Sequence, residues 1–130
     1  MNHIGGHHLI LGQLVDFLTG ETLKDTHDER YRQKLARLLV MDKGYGRKEV
    51  SRCFEVKVEA GGKCALVQID FLVVLHGRTC MLIKYGPGSL VTRHTPALAL
   101  SRLVAPYQIP LVVVTNGENA DLLDGGSGKV

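Results

Sequence analysis

The chain has 130 residues, of which 45% are apolar and 22% charged, and its net charge is +3 with six histidines neutral. That balance describes one globular domain able to bury a core, and excludes a disordered chain or a disulfide-stapled miniprotein. The small positive charge permits an anionic partner but is less than many duplex-binding domains carry.

Cys53, Cys64 and Cys80 are odd in number and form no CxxC pair, so they read as reduced core thiols, not a disulfide frame or zinc site. No uncharged apolar run approaches the roughly 18 residues of a membrane span, and the N-terminus lacks a secretion-signal pattern. No membrane association is expected, and the cytoplasm is the expected location. Residues 1–8, with Gly5-Gly6 and His3, His7 and His8, carry no functional weight.

In chain order, residues 9–23 show a loose apolar pattern interrupted by Gly12 and followed by the turn signal Thr19-Gly20-Glu21, which predicts a short hairpin or arm. Thr26-His-Asp-Glu29 is a capping box that opens a helix running to about Asp42, with Tyr31, Leu35, Leu38, Leu39 and Val40 on its apolar face. Lys43-Gly44 closes it with a C-terminal cation and a left-handed glycine. Residues 50–59 alternate, Phe54/Val56/Val58 against Cys53/Glu55/Lys57/Glu59, as a strand at or near a sheet edge does. Gly61-Gly62 turns the chain into a buried strand over 64–75. His76-Gly77-Arg78 turns it again into a strand over 79–85, which Gly86-Pro87-Gly88 ends. Residues 96–104 are helical by pattern. Leu111–Thr115 is a short, almost wholly apolar strand of the buried type, Asn116-Gly117 turns sharply, and a further element starts near Ala120. The predicted organisation is an N-terminal arm or hairpin over 1–24, an α/β domain over 25–124 and a C-terminal tail over 125–130. The domain has an α-β-β-β-α-β core, a mixed four-stranded sheet with helices on both faces.

Asp70 carries the chemistry question, because a carboxylate inside the apolar run 65–75 is expensive unless paired, protonated or bound to a metal. The next strand carries one lysine, Lys84. A three-residue loop at 76–78 sets Asp70 opposite Lys84, whereas a two-residue loop turns Lys84 away, so register decides whether they meet. Plainer roles stand beside these: Asp70 as an ion-pair partner of Lys84 or Arg93, Glu29 as a capping residue, and Lys84 as a snorkelling strand end. Arg93 and His94, just ahead of the second helix, could bind a phosphate with the helix N-terminus or form an exposed polar cap. Arg47, Lys48, Arg52 and Arg102 are further basic candidates, and nothing indicates base readout.

Asp28-Glu29-Arg30 with Gln33, Gly44-Tyr45, Asp70, Gly86-Pro87-Gly88 and Val114-Thr115-Asn116-Gly117, in this order, resemble the restriction-endonuclease-like superfamily, whose pattern is written PD-(D/E)XK. More narrowly, residues 25–120 resemble the N-terminal nuclease domain of type I restriction R subunits and its small stand-alone relatives. The resemblance implies a Mg²⁺-dependent endonuclease acting on DNA. Asp70 would be a metal ligand, Glu29 a further ligand from the first helix, and Lys84 the lysine that orients or deprotonates the attacking water. The family's second acid stands two residues before the lysine, and here that residue is Leu82, with no acid anywhere in 79–85.

Three readings follow. The favoured one is a degenerate nuclease fold, catalytically impaired, that binds DNA or other nucleic acid or regulates a partner, with Arg93, His94 and Lys84 at the nucleic acid. The second is an active Mg²⁺ endonuclease in which Glu29, or Glu55 from a neighbouring strand, replaces the missing ligand. The third is a structural homodimer paired through the strand at 50–59.

Overall fold

The computed structural model describes residues 9–130, so the His-rich segment 1–8 lies outside the described residues. The chain forms two compact units that divide between Val50 and Ser51.

The first unit opens with the expected hairpin. β1 (Leu9–Val15) and β2 (Thr22–Thr26) pair antiparallel, with Leu14 opposite Leu23 and Val15 opposite Thr22. Gly12 has φ +116° and sits where the register slips between Leu9 and Gln13. β2 leads directly into α1 (His27–Arg37), whose N-cap is Thr26: its hydroxyl oxygen accepts the Glu29 amide at 3.0 Å. Asp28 and Glu29 occupy the first turn and Lys34 and Arg37 the last, matching the helix dipole at both ends. The helix continues to Asp42 as a wider π-helical turn, Leu38–Asp42, and Gly44, at φ +83°, ends it. Ala36 and Leu39 form the buried stripe, while Leu38, expected on that stripe, is exposed.

The second unit holds a five-stranded mixed sheet in the order β3-β4-β5-β6-β7: β3 (Val50–Ala60), β4 (Lys63–Leu75), β5 (Arg78–Tyr85), β6 (Leu111–Thr115) and β7 (Ala120–Asp124). The α/β class and mixed sheet agree with expectation, and β7 adds a strand to the four expected. β4 and β5 are antiparallel, β5 and β6 parallel, and β6 and β7 antiparallel. The parallel pair is joined through α2 (His94–Val104), the crossover such a pair requires. Ile69, Leu72, Leu82, Val112, Val114 and Leu123 from the strands and Ala97 and Leu100 from α2 make the core.

Two departures from the sequence pattern bear on the site. Burial in β4 is confined largely to Ile69–Val73, and the thirteen-residue β4 outruns the eight-residue β5 paired beside it. Cys64, expected to be a core thiol, lies in the uncovered half and is exposed. The second departure is the turn. It is the two-residue loop His76-Gly77, with φ +52° and +75°, as a type I′ turn requires. A plain two-residue hairpin would turn Lys84 away from Asp70. A bulge intervenes: Val74 pairs with Thr79 but Val73 pairs with Met81, so Cys80 is the extra residue. Beyond it Leu72 faces Leu82 and Phe71 faces Ile83, and the next step sets Asp70 level with Lys84.

Among the described residues, no helix is long and apolar enough to cross a membrane.

Candidate functional site

In the first unit a polar network is built around Gln33, one α-helical turn from Glu29. The Gln33 amide nitrogen donates to Asp16 Oδ1 at 2.9 Å and to Glu29 Oε2 at 3.2 Å, and its oxygen accepts the Phe17 amide at 2.8 Å. Asp16 also accepts from the Thr19 hydroxyl at 2.7 Å, and Arg32 Nη1 lies 3.5 Å from Glu29 Oε1. Asp16 and Glu29 are both buried. Glu29, predicted as a helix cap and a metal ligand, gives its amide to the Thr26 cap while its carboxylate takes side-chain donors. Asp16 was missed, although it bears the same mark that singles out Asp70, an acid inside an apolar run, here Leu14-Val-Asp-Phe-Leu18. Nearby, Arg30 grips Asp25 through two bonds of 2.8 Å, and this hydrogen bonding holds the Asp25 carboxyl below its ordinary range. Arg47 is engaged as well: its guanidinium stacks 4.2 Å from the Phe17 ring centre and donates to the Phe17 carbonyl.

In the second unit Asp70 is 2% exposed, in the middle of β4. Its Oδ2 accepts the Tyr85 amide at 2.7 Å and lies 4.0 Å from Lys84 Nζ. The Lys84 ammonium also donates to the Gln68 carbonyl, and a quarter of the side chain reaches solvent. A buried carboxylate is stable only with such partners: a charge-assisted hydrogen bond and an opposite charge offset its desolvation. The register therefore brings together two of the predicted residues, Asp70 and Lys84.

The segment after β5 adds a second cation. Gly86 donates its amide to the Thr115 carbonyl at 3.0 Å, extending the β5–β6 pairing. The Arg93 guanidinium lies on the bare Gly86 backbone, where any Cβ would collide with it, and donates to the Pro87 carbonyl. Arg93 Nε is buried without a hydrogen-bond partner among the described residues. Asn116 ties the loop down, donating to the Gly88 carbonyl at 3.1 Å. His94, the predicted companion of Arg93, is hydrogen-bonded through Nε2 to Asp121 Oδ2 at 2.8 Å. Arg102 reaches the Gly126 carbonyl at 3.4 Å.

A buried acid facing a lysine across a hairpin, in a mixed sheet, is one of the two arrangements the sequence left open. The family model for the type I restriction enzyme R protein N terminus matches residues 27–129. The chain belongs to this family. No curated protein and no solved structure matches the chain. The match begins at the first residue of α1, so the β1–β2 hairpin precedes it.

Membership makes this a nuclease-like domain, and it raises the question of Mg²⁺, which the family's chemistry implies. A site of that kind needs two carboxylates converging from adjacent strands. Beside Asp70, β5 offers Leu82, Ile83 and Lys84. Leu82 is fully buried in the core, and Lys84 brings a positive charge to the carboxylate. Among the described residues, no group of three or more His, Cys, Asp or Glu side chains is arranged to hold a metal. The β5 residues beside Asp70 supply no second carboxylate for a Mg²⁺ site.

Proposed function

We propose that this restriction-enzyme-type domain binds the phosphate backbone of nucleic acid and does not hydrolyse it. One observation carries the reading: where hydrolysis calls for a second carboxylate beside Asp70, the side chain present is the Lys84 ammonium, 4.0 Å away. Hydrolysis of a phosphodiester needs a nucleophilic water and charge neutralisation in the transition state. Asp70, already accepting the Tyr85 amide and facing an ammonium, is poorly suited to gathering a hard cation. A phosphate needs only positive, hydrogen-bonding groups, and Lys84 and Arg93 offer them on either side of Tyr85-Gly86. With no aromatic platform or groove-reading helix evident among the described residues, the contacts would be to backbone rather than base edges.

Fluorescence anisotropy with labelled duplex and single-stranded oligonucleotides, at salt concentrations from about 50 to 200 mM, tests this. The expected result is binding that weakens steeply with salt, unchanged by EDTA, with the oligonucleotide intact after incubation with Mn²⁺. Cleavage that requires Mn²⁺ and disappears in Asp70→Asn would overturn the proposal in favour of a working endonuclease. Absence of any binding at low salt would overturn it as well.

A further inference from the structure

The side chain that faces Asp70 is positively charged where the fold would otherwise gather a metal ion, and this charge reversal has a specific meaning. We infer that the Lys84 ammonium takes the place of a divalent cation at Asp70, so that the site's cation is built into the chain; this rests on the reading of the site as a phosphate-binding nuclease fold. Three observations carry it. First, only the β5 position level with Asp70 can share an ion with it, and the register set by the Cys80 bulge makes that position 84. Position 82 lies one same-face step further along the strand, about 7 Å away by strand geometry, and is packed into the core. Leu82 is therefore the wrong place to look for the missing acid. Second, the ammonium is surrounded as a small hard cation would be, by a carboxylate oxygen of Asp70 and the main-chain carbonyl of Gln68. Third, the next same-face position after 84 is Gly86, which has no side chain, and the Arg93 guanidinium fills its space. Asp70 and Lys84 together are neutral, and Arg93 adds one positive charge. The site thus presents fixed cationic groups to an anion without recruiting a metal.

Changing Lys84 to an acid, not Leu82, should create a metal site. The test is calorimetric titration of Mn²⁺ into wild type, Lys84→Glu and Lys84→Glu/Asp70→Asn. Wild type should give no binding heat. Lys84→Glu should bind one Mn²⁺ at least about tenfold more tightly than wild type, since two facing carboxylates replace an ion pair, and the added Asp70→Asn should abolish that binding. Because Lys84→Glu sets two acids together, it could fail to fold without metal. Lys84→Asp guards against that, because its shorter side chain holds the second carboxylate farther from Asp70: its Tm should rise with added Mn²⁺ while that of wild type stays constant. Wild-type binding of Mn²⁺ that depends on Asp70 would overturn the inference. So would a folded Lys84→Glu that binds none, or, if that variant does not fold, a Lys84→Asp whose Tm ignores Mn²⁺. Oligonucleotide binding by wild type is a separate readout. Gain of metal in Lys84→Glu without nucleic-acid affinity in wild type would keep the built-in cation and discard the backbone-binding reading.

Discussion

At the scale of single residues, Gly86 and Arg93 are the most informative pair after Asp70 and Lys84. Gly86 is not in the left-handed region, so alanine is compatible with its backbone, and the atoms a Cβ would strike are the mobile end of the Arg93 side chain. Gly86→Ala should therefore move the guanidinium and spare the fold. Its stability should stay within about 0.5 kcal/mol of wild type by urea denaturation. Its oligonucleotide affinity should fall, and the slope of log K against log salt should shrink by about 0.9 for one lost phosphate contact on a duplex. An unchanged slope would remove Arg93 from the binding surface. Asp70 was legible as a residue of interest because a carboxylate in an apolar run needs a partner; which partner was not legible. Sequence reasoning left both Lys84 and Arg93 open, and the cross-strand geometry selects Lys84 at 4.0 Å. Asp16 bears the same sequence mark and is buried just as deeply, yet its partners are Gln33 and Thr19. The mark finds acids that must be paired and does not sort structural ones from functional ones.

At the scale of elements, α1 was the best determined. The Thr26 cap, the acidic first turn and the closing Gly44 are local features, and the helix begins and ends where they stand. The β4–β5 hairpin was legible as a hairpin but not in register. Loop length alone predicts that a two-residue turn would turn Lys84 away from Asp70, and the Cys80 bulge reverses that result. A bulge is chosen by packing of the strand faces on both sides, here Leu72 and Leu82 in the core, and leaves no reliable signature in the chain. The turn itself is strained at one point: among the described residues, His76 is the non-glycine residue with positive φ, at +52°. Asparagine tolerates this conformation better, so His76→Asn should stabilise the protein by up to about 1 kcal/mol, measured as a raised urea midpoint at constant m. Destabilisation by that substitution would show that the imidazole makes a contact worth more than the backbone strain.

At the scale of the whole molecule, acid stability should reveal carboxylates from both units. Arg30 hydrogen bonding lowers the pKa of Asp25, and the Ser127 amide and hydroxyl lower that of Asp124 in the turn after β7. Each carboxyl is more acidic folded than unfolded. Its contribution is fully present above the unfolded pKa and is lost as the pH falls through the folded value. Urea midpoints should hence be nearly flat around neutrality and decline below about pH 4, with a shallower decline in Asp25→Asn and in Asp124→Asn. The same Asp124 turn, with the Gly125 backbone set so close to the Ile109 carbonyl that a side chain would collide, gives order to a glycine-rich end whose composition was equally consistent with fraying. By itself the sequence determined the α/β class, the element order from α1 to β6, the family and the absence of an acid on β5. The class, the order and the missing acid follow from periodicity, caps, turn residues and composition, which act over a few neighbouring positions, and the family from the order of its motif residues along the chain. Only the tertiary structure decided that β7 extends the sheet, that half of β4 is uncovered, that Lys84 faces Asp70, and that Arg93 fills the space beside Gly86. Those depend on strand length, a bulge and the reach of a long side chain, which couple residues distant in the chain through packing.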